Sequence, residues 1–122
     1  MSKTIFIQGN VCSSKNSKVW TGKFLVSSKQ TARYVKLTEN QWIINRDLFL
    51  QMIEGKQKPY KIHLYFIRDS KREFDYNNVS QILFDLMQKY KWIEKDSAYH
   101  VIPVFDGFEV DKQKAGVIIK VK

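Results

Sequence analysis

The sequence predicts an α/β (α+β) fold with a single-layer mixed β-sheet and two main helices. Three observations predict it. Residues 60–67 (YKIHLYFI) alternate, with Tyr60, Ile62, Leu64 and Phe66 on one face, which is the period of a strand. About Gln30–Glu54 and about Asn78–Tyr90 carry apolar residues at helical spacing. Short β-branched runs near both ends supply further strands. At 122 residues the chain has the size of one domain, taken as 1–122.

In order, Thr4–Gln8 (TIFIQ) reads as a first strand that Gly9-Asn10 ends. Val11–Lys23 reads as a polar loop, and Phe24–Val26 as a short strand. Ser27 and Ser28 suit a helix N-cap. The long helix then carries Tyr34, Val35, Leu37, Trp42, Ile43, Ile44, Leu48, Phe49, Met52 and Ile53 as its apolar positions, with Trp42 assigned to packing and Gly55 to the C-terminal cap. His63 lies on the far face of its strand with Lys61 and Tyr65 and is assigned no role. In the second helix Val79, Ile82, Leu83, Leu86 and Tyr90 form the expected buried stripe, and Ser80, Gln81, Asp85 and Gln88 the opposite side. His100–Phe105 is a strand whose Pro103 points to an edge or a bulge, Asp106-Gly107 a turn, and Gly116–Lys122 a closing strand.

One cysteine, Cys12, excludes a disulfide framework within the chain and a Cys-rich zinc site. No apolar segment approaches the ~20 residues that cross a bilayer, and Met-Ser-Lys-Thr does not resemble a signal peptide. The expectation is a soluble, cytoplasmic protein with no membrane partner. The formal net charge is +9, unevenly spread: Met1–Thr38 holds seven basic residues and no acidic one. Such a surface favours polyanions through counterion release.

Phe74–Asp96, FDYNNVSQILFDLMQKYKWIEKD, is the stretch richest in candidate chemistry. Asp75 falls between a strand and a helix, and Asp96 follows that helix and a turn. If the turn returned Asp96 beside Asp75, two carboxylates would suit a hard cation such as Mg²⁺, which polarises a phosphodiester and activates water. The same positions suit a helix cap and a turn residue, and spacing leaves both readings open.

The stretch resembles the RusA family of Holliday-junction resolvases, crossover-junction endodeoxyribonucleases common on prophages. The family pattern is Asp-x-Asp-Asn, a lysine three residues after the Asn, an Asp-x-Leu/Met on the same helix, and an aspartate in the next turn. Asp75, Asn78, Asp85-Leu86-Met87 and Asp96 stand in those places. At the amino end, GNVCSSKNSKVWTGKFLVSSK is similar to the family's Ser/Lys/Asn-containing loop, short strand and helix start, so the likeness spans essentially the whole chain. Asn77 stands where the family has its second metal aspartate, Gln81 where it has its catalytic lysine, and Lys95 where it has the first of the paired late acids.

The resemblance implies Mg²⁺, with Mn²⁺ as an alternative, held by Asp75, Asn77 and Asp96, with Asp85 as a recruited carboxylate. It implies catalytic positions at Asp75, Asp96 and Gln81. It implies a homodimer matched to the near two-fold symmetry of a four-way junction, and DNA contacts from Lys15, Asn16, Lys18, Lys23, Lys71 and Arg72. An Asn oxygen ligates Mg²⁺ but brings no charge, and Gln cannot neutralise developing charge as Lys does. Two functions are therefore expected. One is a Mg²⁺-dependent endonuclease resolving Holliday junctions or other branched DNA in recombination or repair. The other is a RusA-like protein that binds branched DNA without cutting it. A third reading, in which the basic face binds RNA or protein, stays open beside them.

Overall fold

The computed structural model describes residues 3–13, 18–20, 25–27 and 29–122, with residues 18–20 and 25–27 described by their backbone alone. In chain order the elements are β1 (Ile5–Gln8), β2 (Lys18–Trp20), β3 (Leu25–Ser27), α1 (Lys29–Ile53), β4 (Tyr60–Arg68), α2 (Tyr76–Lys89), β5 (Val101–Val110), a 3₁₀ turn (Lys112–Lys114) and β6 (Gly116–Val121). Four strands form one mixed sheet in the order β1-β6-β4-β5, and β2 pairs with β3 in a separate ribbon. Strand β4 runs parallel to β5, while the β1–β6 and β4–β6 pairs are antiparallel. This is the mixed sheet and two-helix α+β architecture that the hydrophobic periods predict.

Strand β4 keeps its alternation: Ile62, Leu64 and Phe66 are fully buried. They meet Ile5, Ile7, Val117 and Ile119 from β1 and β6 in one core with the inward faces of both helices. Helix α1 buries Tyr34, Thr38, Trp42, Phe49 and Met52. Leu37, Ile43 and Ile44 point outward, Ile44 with 75% of its surface exposed, although all three share the helix's apolar pattern. At 100° per residue, Trp42, Ile43 and Ile44 cannot face one direction together, and the largest side chain takes the core.

In α2 the buried stripe is wider than expected. Phe84 and Met87 join it, and Ser80 lies inside it rather than on the outer face. The Ser80 hydroxyl donates to the Asn77 carbonyl at 3.3 Å, which satisfies a small polar group close to the core. Lys91, at φ 65°, breaks the helix at the end of α2, and Trp92 returns its N–H to the Met87 carbonyl at 2.8 Å. The Trp92 ring then stacks on Phe49 at 4.8 Å and lies tilted to Trp42 at 5.0 Å.

Of three further expectations, two are corrected and one falls partly outside the described residues. The segment Val11–Lys23 is not all loop, since Lys18–Trp20 pairs with Leu25–Ser27. The N-cap reading of Ser28 lies outside the described residues, and Ser27 ends β3. Asp106-Gly107 is not a turn but the inside of β5. Leu64 pairs with Phe105 and Tyr65 with Gly107, so Asp106 is the extra residue of a bulge. Gly107 takes φ 123°, a conformation that side chains disfavour, which is why a turn-like dipeptide serves here.

Gly116 shows where packing leaves no room. A Cβ there would run into the Ile7 carbonyl and lie 2.6 Å from the Phe6 ring. Gly116→Ala is expected to lower stability by about 1–3 kcal/mol, read as an earlier urea midpoint with an unchanged slope.

Candidate functional site

The connection from β4 to α2 forms one wall of a cleft of about 1130 Å³. The loop after β1 (Asn10–Ser13), the first turns of α1 and Phe108 of β5 complete it. Among the described residues four cations line it, Arg33, Arg68, Lys71 and Arg72, against three carboxylates, Asp69, Glu73 and Asp75.

Arg68 ends β4 and is half-buried. Its Nη1 donates to the Val11 carbonyl at 2.6 Å, and its guanidinium lies 4.5 Å from the centre of the Phe74 ring. Burial lowers its pKa from the usual arginine value. Among the described residues it forms no ion pair, although the charge of the neighbouring Asp69 acts on it. Lys71 and Arg72 are exposed at the mouth. Behind them, burial pushes the Tyr34 phenol upward, and among the described residues its hydroxyl has no hydrogen-bond partner. Burial likewise raises the pKa of the Cys12 thiol.

Asp75 occupies the N-cap position of α2 with extended backbone (φ −108°, ψ 134°), but its side chain caps no N–H. Instead its Oδ2 accepts from Asn78 Nδ2 at 3.2 Å. Asn77 lies beside it, exposed. Gln81 donates to Asp85 Oδ1 at 3.0 Å, one turn apart on the outer face of α2.

Asp96 is elsewhere. Tyr60 and Val101, the first residues of β4 and β5, pair with each other, and Tyr60 N–H donates to the His100 carbonyl at 2.8 Å. Glu94, two residues before Asp96, reaches Lys58 at 3.5 Å, just ahead of β4. Asp75, by contrast, follows the last residues of β4. Because β4 and β5 are parallel, α2 must run the full depth of the sheet between them. A 14-residue helix is about 20 Å long. Asp75 and Asp96 therefore stand at opposite ends, with Asp85, about 15 Å along from Asp75, between them.

Mg²⁺ holds its oxygen ligands at about 2.1 Å, so in one chain Asp75 cannot share a cation with Asp85 or with Asp96. Among the described residues no group of three or more His, Cys, Asp or Glu side chains comes together at metal distance. Asp75 shares the cleft with the carboxylates of Asp69 and Glu73, but among the described residues the three do not come together at metal distance, and that donor set does not fit a catalytic Mg²⁺ on its own.

Of the expected DNA contacts, Lys71 and Arg72 line the cleft. Lys15, Asn16 and Lys23 lie outside the described residues, and Lys18 is described only as backbone of β2. Arg33 and Arg68 are contributions that sequence reasoning missed. Both sit on regular elements, and only the fold shows that the end of β4 and the start of α1 face one space. The other omission is His63, whose Nδ1 meets Asp106 Oδ1 at 3.0 Å across the bulge. No protein-family model matches the chain, and no curated protein matches it.

Proposed function

We propose that this protein binds branched DNA, four-way junctions foremost, as a RusA-like homodimer that does not cut through a metal site built in one chain. The observation that carries the proposal is the convergence of Arg33, Arg68, Lys71 and Arg72 on one cleft in a chain of net charge +9. Fixed cations in a concave surface neutralise the closely spaced phosphates where strands exchange, and recognition then rests on shape rather than on base sequence. A two-fold dimer would present two such clefts to the two-fold junction. The resemblance to the resolvases supports the choice of substrate. The separation of Asp75, Asp85 and Asp96 supports binding over cutting.

One observation favours a second reading, a Mg²⁺- or Mn²⁺-dependent endonuclease: Asp75 lies in the same cleft as the cations. That reading requires the second carboxylate, Asp96, to come from another copy of the chain.

The test is a mobility-shift and cleavage assay on a synthetic four-way junction and a linear duplex of equal length. The junction is expected to bind more tightly, to lose affinity steeply with salt, and to stay uncut with either metal. Asn77→Asp with Gln81→Lys is expected to leave junction affinity within about twofold, since neither residue is among the cleft cations. Equal binding of duplex and junction would sink the branch preference. Cleavage by the wild type would replace the proposal with the endonuclease. In that case a mixture of Asp75→Asn and Asp96→Asn chains regains cutting if the site is shared between copies.

A further inference from the structure

We infer that the open face of the four-stranded sheet is a platform for single-stranded DNA, with bases stacked on its aromatic rings and phosphates held by its lysines. The buried side chains of β1, β4 and β6, among them Ile5, Leu64 and Ile119, belong to the core shared with the helices. Alternate residues of the same strands point the other way. Cross-strand register sets those residues in rows. Phe6, Ile118 and Tyr65 make one row, Lys120, His63 and Val104 the next, and Lys61 with Ile102 a third.

The aromatic rings are available. Phe6 is 43% exposed and lies over Gly116, where the missing side chain leaves the ring its place on the sheet. Tyr65 stands two strands away, about 10 Å. Its hydroxyl donates to Glu109 Oε1 at 3.1 Å, which holds the phenol in position. Both carboxylates on this face are thus engaged, Glu109 by Tyr65 and Asp106 by the His63 ring. The bulge at Asp106 makes the second contact possible, because it frees that residue from the ladder.

The lysines have no such partners. Lys61 and Lys120 stand on the face, and the Lys122 N–H donates to the Lys61 carbonyl at 3.1 Å, which places the third lysine beside them. Among the described residues none of the three is ion-paired. Aromatic rings interleaved with unpaired cations fit a single strand, whose bases are free to stack, and not a duplex, whose bases are already stacked on each other. The same charges oppose a second copy, which would set lysines against lysines. The inference does not depend on the cleft. It rests on the proposed function only in naming DNA rather than RNA.

The test measures anisotropy of labelled oligothymidylate of roughly 15 nucleotides against the full chain. Phe6→Leu and Tyr65→Leu keep apolar bulk and remove the ring. Each is expected to weaken binding roughly tenfold, while binding of a fully paired four-way junction is retained. Lys61→Gln with Lys120→Gln, two surface changes that leave the core alone, is expected to lower the salt slope by about 0.7 per lysine. Wild-type affinity in the leucine variants, or an unchanged slope in the glutamine variant, overturns the inference. So does tighter binding of oligouridylate. A wild-type dimer that sedimentation shows to be lost in the leucine variants, with oligothymidylate binding intact, assigns the face to a second copy instead. Loss of oligothymidylate binding in the leucine variants, with junction affinity indifferent to Lys71→Glu and Arg72→Glu, sinks the cleft reading and leaves the platform standing.

Discussion

Trp42→Ala is expected to cost about 3–5 kcal/mol of stability, roughly a fifth or more of what a small domain commonly has. Trp42 has no exposed surface. Its Nε1 donates to Thr38 Oγ1 at 2.9 Å, and that hydroxyl donates to the Tyr34 carbonyl at 2.9 Å, one turn back. Its own carbonyl accepts from Trp92 Nε1 at 2.8 Å. Alanine keeps the carbonyl, so Trp92 keeps its acceptor, but the Trp92 ring loses the neighbour it packs against and Thr38 loses its donor. The loss therefore combines a cavity the size of an indole with a disturbed buried polar chain. Urea unfolding followed by far-ultraviolet circular dichroism measures it. Ile44→Ala, two residues on, is expected to stay within about 0.5 kcal/mol, because Ile44 is already in solvent. Comparable losses at the two positions would contradict the burial pattern of α1.

Lys71→Glu combined with Arg72→Glu is expected to weaken junction binding on the order of a hundredfold at low salt. Both side chains are exposed at the mouth of the cleft, and neither is ion-paired among the described residues. Folding stability should change by no more than about 0.5 kcal/mol, which separates loss of binding from loss of structure. The sharper readout is the slope of log affinity against log salt. Removing two phosphate contacts lowers it by about 1.8. A slope that stays at the wild-type value would show that these residues do not touch the backbone of the DNA. Arg68 is the poorer choice for this test, because its half-buried guanidinium also ties the loop at Val11 to the end of β4.

The elements that the sequence made legible are those whose burial follows their own period. Strand β4 alternates and is buried as it alternates as far as Phe66, where Ile67 adds a buried residue on the other face. The α2 stripe at Val79, Ile82, Leu83 and Leu86 is the one the spacing predicts. Legibility failed where a long-range choice decided the matter. Leu37, Ile43 and Ile44 carry the same apolar signal as Trp42, and only the position of the sheet determines which of them is covered. Asp106-Gly107 has turn chemistry in any local window, yet the parallel pairing with β4 carries the strand through it as a bulge. The cleft-lining positions divide the same way. Lys71 and Arg72, which line the cleft, could be named from sequence because they shortly precede Asp75. Arg33 was not, because it reaches the cleft from a helix that starts far away in the chain. The distance between Asp75 and Asp96 depended on whether the chain after α2 turns back or goes on. Parallel β4 and β5 mean that it goes on.

The sheet order β1-β6-β4-β5 also bears on how the chain is made. Strand β6 is the last element in chain order, yet it lies between β1 and β4 and bonds to both. During synthesis β1 emerges early and has no neighbour in the sheet until Gly116–Val121 leaves the ribosome. Contacts of such long sequence separation are slow to form, because the intervening chain must be closed into a loop first. Helix α1, β4, α2 and β5 are all available for local assembly before that moment. The sheet thus waits on β6, and Ile5 and Ile7 lack their cross-strand partners until Ile119 and Val117 arrive.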